Sequence, residues 1–417
     1  MTRSGKDIPG RAADGRRTAV FLIGNHALPK DRRVWQECRS VQGFGHRVIG
    51  VSPMGRLPGT DRPFDEVEGI PIHRFPLPTS EGGLASYGRE FAEALWRGAR
   101  VLRRVAQRER VDVVHAGNPP DFLLLAALSL KRSGTRLIFD HHDLSPEMYL
   151  GRSGRRDPVY HVLRGLERIT FLAADVVIAT NDSFRDVAIE RGGKCSEDVF
   201  VVRNGPDLTR FREVDPVPGL RRGKRYLLAY AGVMGRHDGI DLAVHALAAL
   251  HRRRDDWHAV LAGDGEMREE AHDLAHRLGI GDVVDFPGWL PQERVLEILS
   301  SADVCLAPDP PSAANDRSTM IKVMEYMAVG RPMVSFALPE SRVSAGAAAR
   351  FASGDSVEDF ARLVDELLDD PGARAAMGEE GRERVRRGLS WEHSERALRR
   401  AYERALSEGP RTPGPVR

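Results

Sequence analysis

Cysteine is scarce in this chain of 417 residues. Cys38, Cys195 and Cys305 are odd in number and far apart, which excludes a disulfide framework and the paired spacing of a thiolate metal site. That usage fits a reducing cytoplasm. Long apolar runs are missing as well. The longest, residues 122–128, falls far short of the roughly 18 to 20 apolar residues of a membrane span. The opening MTRSGKDIPGRAADGRR has no apolar stretch and is not expected to act as a secretory signal. Residues 1–17 and 407–417 are expected to be disordered tails. A large charge of one sign is also absent. The net charge is +2, so no nucleic-acid partner is expected. The charge is uneven, however. Residues 1–205 carry 32 Lys+Arg against 25 Asp+Glu, a net of +7, and residues 206–417 carry 30 against 35, a net of −5. The basic half points to an anionic partner, with Arg-rich composition as the plain alternative.

Apolar strands alternate with helical stretches throughout. Strands are predicted at 18–23, 47–51, 111–115, 137–140, 175–179 and 200–202, with helices at 31–43, 86–108, 120–132, 158–173 and 182–191 between them. A second series has strands at 225–230, 258–262, 283–286, 304–306, 333–336 and 349–351. Its helices are predicted at 239–252, 266–278, 291–301, 319–329, 356–369 and 371–387. Such alternation implies α/β architecture: two doubly wound domains, each a parallel sheet with helices on both faces. The Gly-, Pro- and charge-rich stretch at 204–223 marks the join. The expected division is 18–205 and 206–390, with a helix at 391–406 packing back on the first domain. Ligands of parallel sheets bind beyond the carboxyl ends of strands, here in a cleft between the domains.

The richest segment is STMIKVMEYMAVGRPMV, residues 318–334. Apolar residues recur at helical spacing. Ser318 or Thr319 is placed to cap the start, ahead of Met320, and Gly330 and Pro332 to end it. Glu325 is a carboxylate inside the apolar run. A helix start offers N–H groups to phosphate, and a carboxylate two turns on can accept both hydroxyls of a ribose. The alternative is a core helix with one solvated Glu. The preceding loop, PDPPSAANDR at 308–317, ends in Arg317, and Lys322 follows in the helix. Either cation suits a departing diphosphate, although Lys322 is also placed to pair with Glu325.

Other turns add candidates. AGVMGRHDG at 231–239 follows a strand, and its Gly232, Val233, Met234, Gly235 and Arg236 suit a diphosphate turn, though GxGxxG is lacking. AGDGEM at 262–267 contributes Gly263. FPGWLP at 286–291 contributes Leu290 and Trp289, which is placed to stack on a base or to pack on the surface. In the first half, FDHHDLSPEMY at 139–149 sets two histidines and carboxylates at a strand end. Extended neighbours point apart, so His141 and His142 cannot both serve one site. An acid/base or sugar-hydroxyl role is favoured over a structural hydrogen-bonded histidine, and both over metal. The turns GNHALPKDRRV at 24–34 and HAGNPPD at 115–121 occupy equivalent strand ends. Neither GxSxG nor a P-loop occurs, so Ser or Cys nucleophilic chemistry has no support. Residues 96–110 read as a basic amphipathic helix, with Arg97, Arg100, Arg103, Arg104 and Arg108 beside Val101, Leu102 and Val105. Lipid contact is weighed there against a solvated face.

Taken together and in order, these stretches resemble a retaining glycosyltransferase of family 4, with the GT-B fold of two Rossmann-like domains, over about residues 18 to 405. The resemblance implies sugar transfer with retention from a nucleoside-diphosphate-sugar as co-substrate, UDP before GDP, with no metal. It places the donor on the C-terminal domain and a sugar- or lipid-linked acceptor on the N-terminal domain, where Asn25, Arg33, Asn118 and Asp143 lie on the acceptor side. By position, Glu325 matches the glutamate that holds the donor ribose, His142 the histidine near the transferred sugar, and Gly232 the diphosphate turn. Three positions depart from the family pattern. Arg317 stands where a second glutamate is usual, Val233 where an arginine is usual, and Asp238 where a lysine is usual. Arg317, Lys322 and Arg236 are the expected replacements for that charge. VMGRHDG and NDRSTMIKVMEYM resemble a subgroup found in bacterial surface-polysaccharide clusters. The implied location is cytoplasmic, with peripheral membrane contact as an additional reading. The rival readings are a nucleotide-sugar epimerase on the same fold and a noncatalytic nucleotide-sugar-binding protein.

Overall fold

The computed structural model describes residues 15–55, 59–77 and 84–407. Most of the expected tails, 1–14 and 408–417, lie outside them. The chain divides into an N-terminal unit, residues 1–202 with 395–417, and a C-terminal unit, residues 203–394.

The N-terminal unit carries β1 (Thr18–Leu22), α1 (Arg32–Gly43), β2 (Arg47–Pro53), β3 (Phe64–Val67), β4 (Ile70–Phe75), α2 (Leu84–Arg108), β5 (Val113–Gly117), β6 (Arg136–His141), α3 (Ser145–Ser153), α4 (Pro158–Ala173), β7 (Val176–Ala179), α5 (Asp182–Asp186) and β8 (Val199–Val201). Its sheet runs β3-β4-β2-β1-β5-β6-β7-β8 and is parallel except where β3 pairs with β4. The β3–β4 ribbon was not predicted: residues 64–75 interleave their apolar positions with charges and Pro71. Segment 121–133, predicted as an α-helix, is a 3-10 helix. α3 was also missed; its SPEMYLGRS sequence has little apolar periodicity.

The C-terminal unit carries β9 (Tyr226–Ala231), α6 (Ile240–His251), β10 (Trp257–Ala262), α7 (Arg268–Arg277), β11 (Val284–Gly288), α8 (Gln292–Ser301), β12 (Val304–Ala307), α9 (Ile321–Ala328), β13 (Met333–Phe336), α10 (Pro339–Ala345), β14 (Ala349–Ala352), α11 (Val357–Asp369) and α12 (Pro371–Arg384). Its six strands are all parallel, in the order β11-β10-β9-β12-β13-β14. Both sheets are doubly wound. β1 and β9 each have neighbours on both sides that are reached by opposite crossovers, the arrangement that opens a crevice at strand carboxyl ends.

Sheet strands are buried on both faces, so β1, β5, β9 and β10 read as apolar runs rather than alternations. α13 (Trp391–Leu406) closes the chain. From Glu395 onward it belongs to the N-terminal unit. Leu398, Ala401, Tyr402 and Ala405 are buried, and Arg404 pairs with Asp198 at 2.9 Å. Leu398→Ala is expected to cost about 3 kcal/mol, as for other fully buried leucines, read as a lowered denaturant midpoint with an unchanged slope.

Candidate active site

In the C-terminal unit, glycines bring three strand-end loops into backbone contact. A Cβ on Gly263, after β10, would stand 1.8 Å from the carbonyl oxygen of Gly232, after β9. Gly239 has φ +66°, and a Cβ there would meet the carbonyl oxygen of Pro308, after β12, at 2.1 Å. Only glycine fits at either point. Asn315 ties the third loop down by donating to the carbonyls of His237 and Pro310, both at 2.9 Å. Tyr326 pins α9 beneath. Its hydroxyl accepts from Ala231 N at 3.0 Å and donates to Leu306 O at 3.1 Å.

α9 begins at Ile321, and no side chain caps it. Ser318 donates to Ala314 O instead, at 2.8 Å, and Thr319 is buried. The expected cap is therefore absent. Residues 315–317 form a 3-10 turn that delays the helix by two residues. Glu325 lies on α9 with 7% of its surface exposed. Arg317 is exposed, as is Val233. Arg236 is exposed and stands 3.6 Å from Glu266. Trp289 is exposed, whereas Leu290 and Met320 pack on the core. Met234 does not line the turn; it is fully buried in the core.

Lys322 does not pair with Glu325. Its ammonium is buried, 2.6 Å from Asp309 Oδ1 and 3.1 Å from Asp238 Oδ1, and 5.1 Å from the centre of the Tyr230 ring. Burial opposes its charge, but Asp309, Tyr230 and Asp238 together hold the ammonium well above its ordinary value. Burial raises the Asp309 carboxyl. A Cβ on Gly232 would touch Lys322 Cε at 3.1 Å, so the lysine lies directly beneath the glycine turn. The acid at position 238 and the lysine on α9 form one ion-paired set, and Lys322 is not an unpaired cation.

In the N-terminal unit the strand ends of β5 and β6 build a second group. Asn118 is a clip: its Oδ1 accepts from His142 N at 2.9 Å and Asp143 N at 3.1 Å, and its Nδ2 donates to Asp121 and to the Asp143 carbonyl, both at 2.6 Å. Its amide is therefore taken up internally rather than by an acceptor. Asn25 Oδ1 is buried with no hydrogen-bond partner among the described residues. The two histidines do part. His141 is sealed against Phe139, Phe171 and Phe184, with Glu167 at 3.5 Å. His142 lies over Gly117, where a Cβ would meet its ring at 3.0 Å.

His142 Nδ1 is 2.8 Å from Asp140 Oδ2. Burial disfavours the imidazolium, yet Asp140 prevails and pushes it up to about 9. Burial would raise Asp140, but Arg33 and His142 hold it well below the usual carboxylate range. Arg33 belongs to this pair and not to an acceptor surface. It is buried, donates to Asp140 through Nε at 3.0 Å and Nη2 at 2.7 Å, and reaches Val202 O at 2.9 Å. Glu37, His115 and Asp140 could offer ligand atoms within 4.8 Å of one another. The Arg33 guanidinium already stands on both carboxylates, so a metal ion there would meet a fixed positive charge. Sequence reasoning passed over Glu37, Asp140, Asp309 and Tyr230 as site groups. The available signal was that Arg33 and Glu37 fall on the apolar stripe of α1 with Val34, Cys38 and Val41.

Comparisons with known proteins identify the family. Residues 31–210 match Glycosyltransferase Family 4 and residues 211–384 match the glycosyl transferases group 1. The chain is a family 4-type glycosyltransferase. Glycogen synthase of Mycobacterium tuberculosis is 25% identical over 92% of each chain. D-inositol 3-phosphate glycosyltransferase of Kribbella flavida is 28% identical over 56% of this chain, and the match spans 57% of that relative. Among solved structures, sucrose-phosphate synthase of Thermosynechococcus elongatus aligns at TM-score 0.75 and 18% identity, covering 93% of this chain and 98% of that one. Anabaena HepE in complex with UDP-glucose aligns at 0.68 and 15%, covering 93% and 99%. These structures confirm the GT-B fold of the transferase. The relatives act as transferases and synthases, and the epimerase alternative is withdrawn.

Asp140→Asn should lower the His142 titration midpoint from about 9 toward its ordinary value near 6.5, read by histidine NMR. A folded-state value above the unfolded one gives stability that is complete below the unfolded value and lost as pH rises through the folded one. The wild-type chain should therefore lose this contribution between about pH 6.5 and 9, a loss the variant should not show.

Proposed function

We propose that the transferase moves a glycosyl group from a nucleoside-diphosphate-sugar, UDP before GDP, to a hydroxyl of a sugar- or lipid-linked acceptor, with retention and without metal. The observation that carries this reading is the interlocked Gly232–Gly263 turn above Lys322, beside the start of α9 and Glu325. Backbone at such a turn can lie close to a diphosphate. Structural neighbours bound to UDP-glucose and to UDP-2-fluoro glucose support a uridine donor.

In the proposed step the bond from the anomeric carbon to the diphosphate oxygen breaks. The acceptor oxygen bonds to that carbon on the same face, and its proton passes to the departing phosphate oxygen. The products are the glycoside and the nucleoside diphosphate. Glu325 holds the ribose. Arg317 and Arg236 are the exposed cations for the diphosphate, while Lys322 acts through its ion pairs. His142, held protonated by Asp140, is a hydrogen-bond donor for the transferred sugar. A surface-glycan pathway is the proposed setting, from the subgroup resemblance. A noncatalytic nucleotide-sugar binder remains the second reading, favoured by one observation: Asp309 and Asp238 already balance Lys322.

The test is nucleoside-diphosphate release by the purified chain across UDP-, GDP- and TDP-sugars. Slow hydrolysis of one donor is expected, with Glu325→Ala raising the donor KM tenfold or more, the loss of a charged hydrogen bond of about 1.5–3 kcal/mol. Donor binding without release, even with acceptors supplied, would establish the binder. Unchanged turnover in Arg317→Ala would remove that residue from the diphosphate site.

Peripheral membrane contact is proposed on a different helix from the expected one. On α2, Leu102 and Val105 are buried in the core and unavailable to lipid. On α4, by contrast, Val159, Val162, Ile169 and Leu172 are exposed on one stripe, near Arg155, Arg156 and Arg168. The neighbouring acids are taken up internally: Glu147 and Glu167 pair with Arg191, and Asp157 caps the helix. An apolar stripe with outward arginines suits an anionic lipid surface. Among the described residues no helix is long and apolar enough to cross a membrane. Sedimentation with phosphatidylglycerol vesicles but not with phosphatidylcholine vesicles is expected, lost in Ile169→Glu/Leu172→Glu. Sedimentation indifferent to anionic lipid would dismiss the contact.

A further inference from the structure

A chain of buried polar groups runs inside the N-terminal unit from α13 to His142. Tyr402 OH is 3.1 Å from His115 Nδ1 on β5. His115 Nε2 is 3.5 Å from Glu37 Oε2 on α1. Glu37 Oε1 is 3.1 Å from Arg33 Nη2. Arg33 grips both oxygens of Asp140 on β6, which holds His142 Nδ1. Every link from Tyr402 to Asp140 is buried. Glu37 is a second acid beside the Arg33–Asp140 pair. Burying Glu37 with no compensating partner would be costly.

The middle of the chain carries the inference. Glu37 Oε2 and His115 Nε2 face each other, yet neither makes a hydrogen bond among the described residues. One proton between them would satisfy both. Two arrangements are open. A protonated Glu37 donates to His115 Nε2, and His115 Nδ1–H donates to Tyr402. Alternatively, ionised Glu37 accepts from His115 Nε2–H, and Nδ1 accepts from the Tyr402 hydroxyl. Moving from the first to the second releases one proton to solvent, leaves a negative charge beside Arg33 and reverses the hydrogen bond at α13.

We propose that Glu37 and His115 share one proton and that this pair, acting through Arg33 and Asp140, is a positioning device for His142 which α13 reads and sets through Tyr402. Its bearing on turnover rests on the role of His142 proposed above; its existence does not. The groups facing Glu37 are Asp31 and Arg33 from α1 and its cap, Asp140 from β6, His115 from β5 and His142 from the loop after β6. Burial, then Asp140, pushes Glu37 up to about 8. Burial lowers His115 to about 4, which leaves it neutral and free to choose its tautomer. Ionised Glu37 supports the charge of His142, as His142 in turn favours ionisation of Glu37.

The test uses the full chain with labelled histidines, His142 being assigned by its absence from His142→Asn. Glu37→Gln keeps the shape and removes the ionisation. It should lower the His142 midpoint by roughly half a unit, about threefold in proton affinity, while His73, outside the chain of contacts, stays put. Tyr402→Phe removes one hydroxyl and should change the Nδ1 and Nε2 nitrogen shifts of His115. Should Glu37→Gln not fold, Tyr402→Phe decides alone. A His142 midpoint at its wild-type value in folded Glu37→Gln, or unchanged His115 shifts in Tyr402→Phe, would overturn the proposal. Donor hydrolysis is scored separately: a shifted His142 in a chain that turns over no donor leaves this proposal standing and removes the transferase role of the histidine.

Discussion

The bidentate ion pair between Arg33 and Asp140 is the interaction on which the N-terminal strand ends depend. It buries a guanidinium and a carboxylate beside β1, β5 and β6, where water cannot repay the lost solvation. Such a pair is tolerable only when its remaining donors are also satisfied. Val202 O takes one of them, and Glu37 stands 3.1 Å from Nη2 as a second charge. Because Arg33 comes from α1 and Asp140 from β6, the pair also fixes the helix against the sheet. His142 is held on the same carboxylate, so its charge and ring orientation follow from a contact made in the core.

The C-terminal unit solves a different problem by a different means. Its strand-end loops must approach backbone to backbone, and glycines at 232, 239 and 263 permit this. The lysine beneath them is neutralised by acids from two separate loops. Position 238 and position 322 are 84 residues apart in sequence yet form one ion pair. The acid at position 238 and the lysine at position 322 therefore have to be read together.

Much of the architecture was legible in the chain. The parallel strands declared themselves as short apolar runs because both faces of each sheet are covered. The helices α1, α4, α6, α7 and α11 declared themselves through their periodicity. The ribbon β3–β4 did not, because its two strands are short and their apolar residues are interleaved with charges and Pro71. The start of α9 was misplaced because Ser318 and Thr319 are good capping residues, whereas Ser318 donates to Ala314 O and the helix begins only at Ile321.

Sequence by itself determined the strand–helix alternation, the doubly wound class and the glycine turns, since these follow from local periodicity and backbone freedom. It also offered Glu325 and His142 as candidates. Tertiary structure alone decided which charges are buried and with whom. Arg33, Glu37, Asp140 and His115 come from three elements, and Lys322, Asp309 and Asp238 from two loops and a helix. Electrostatic partnership depends on distance and burial in space, and neither is encoded in the spacing of residues along the chain.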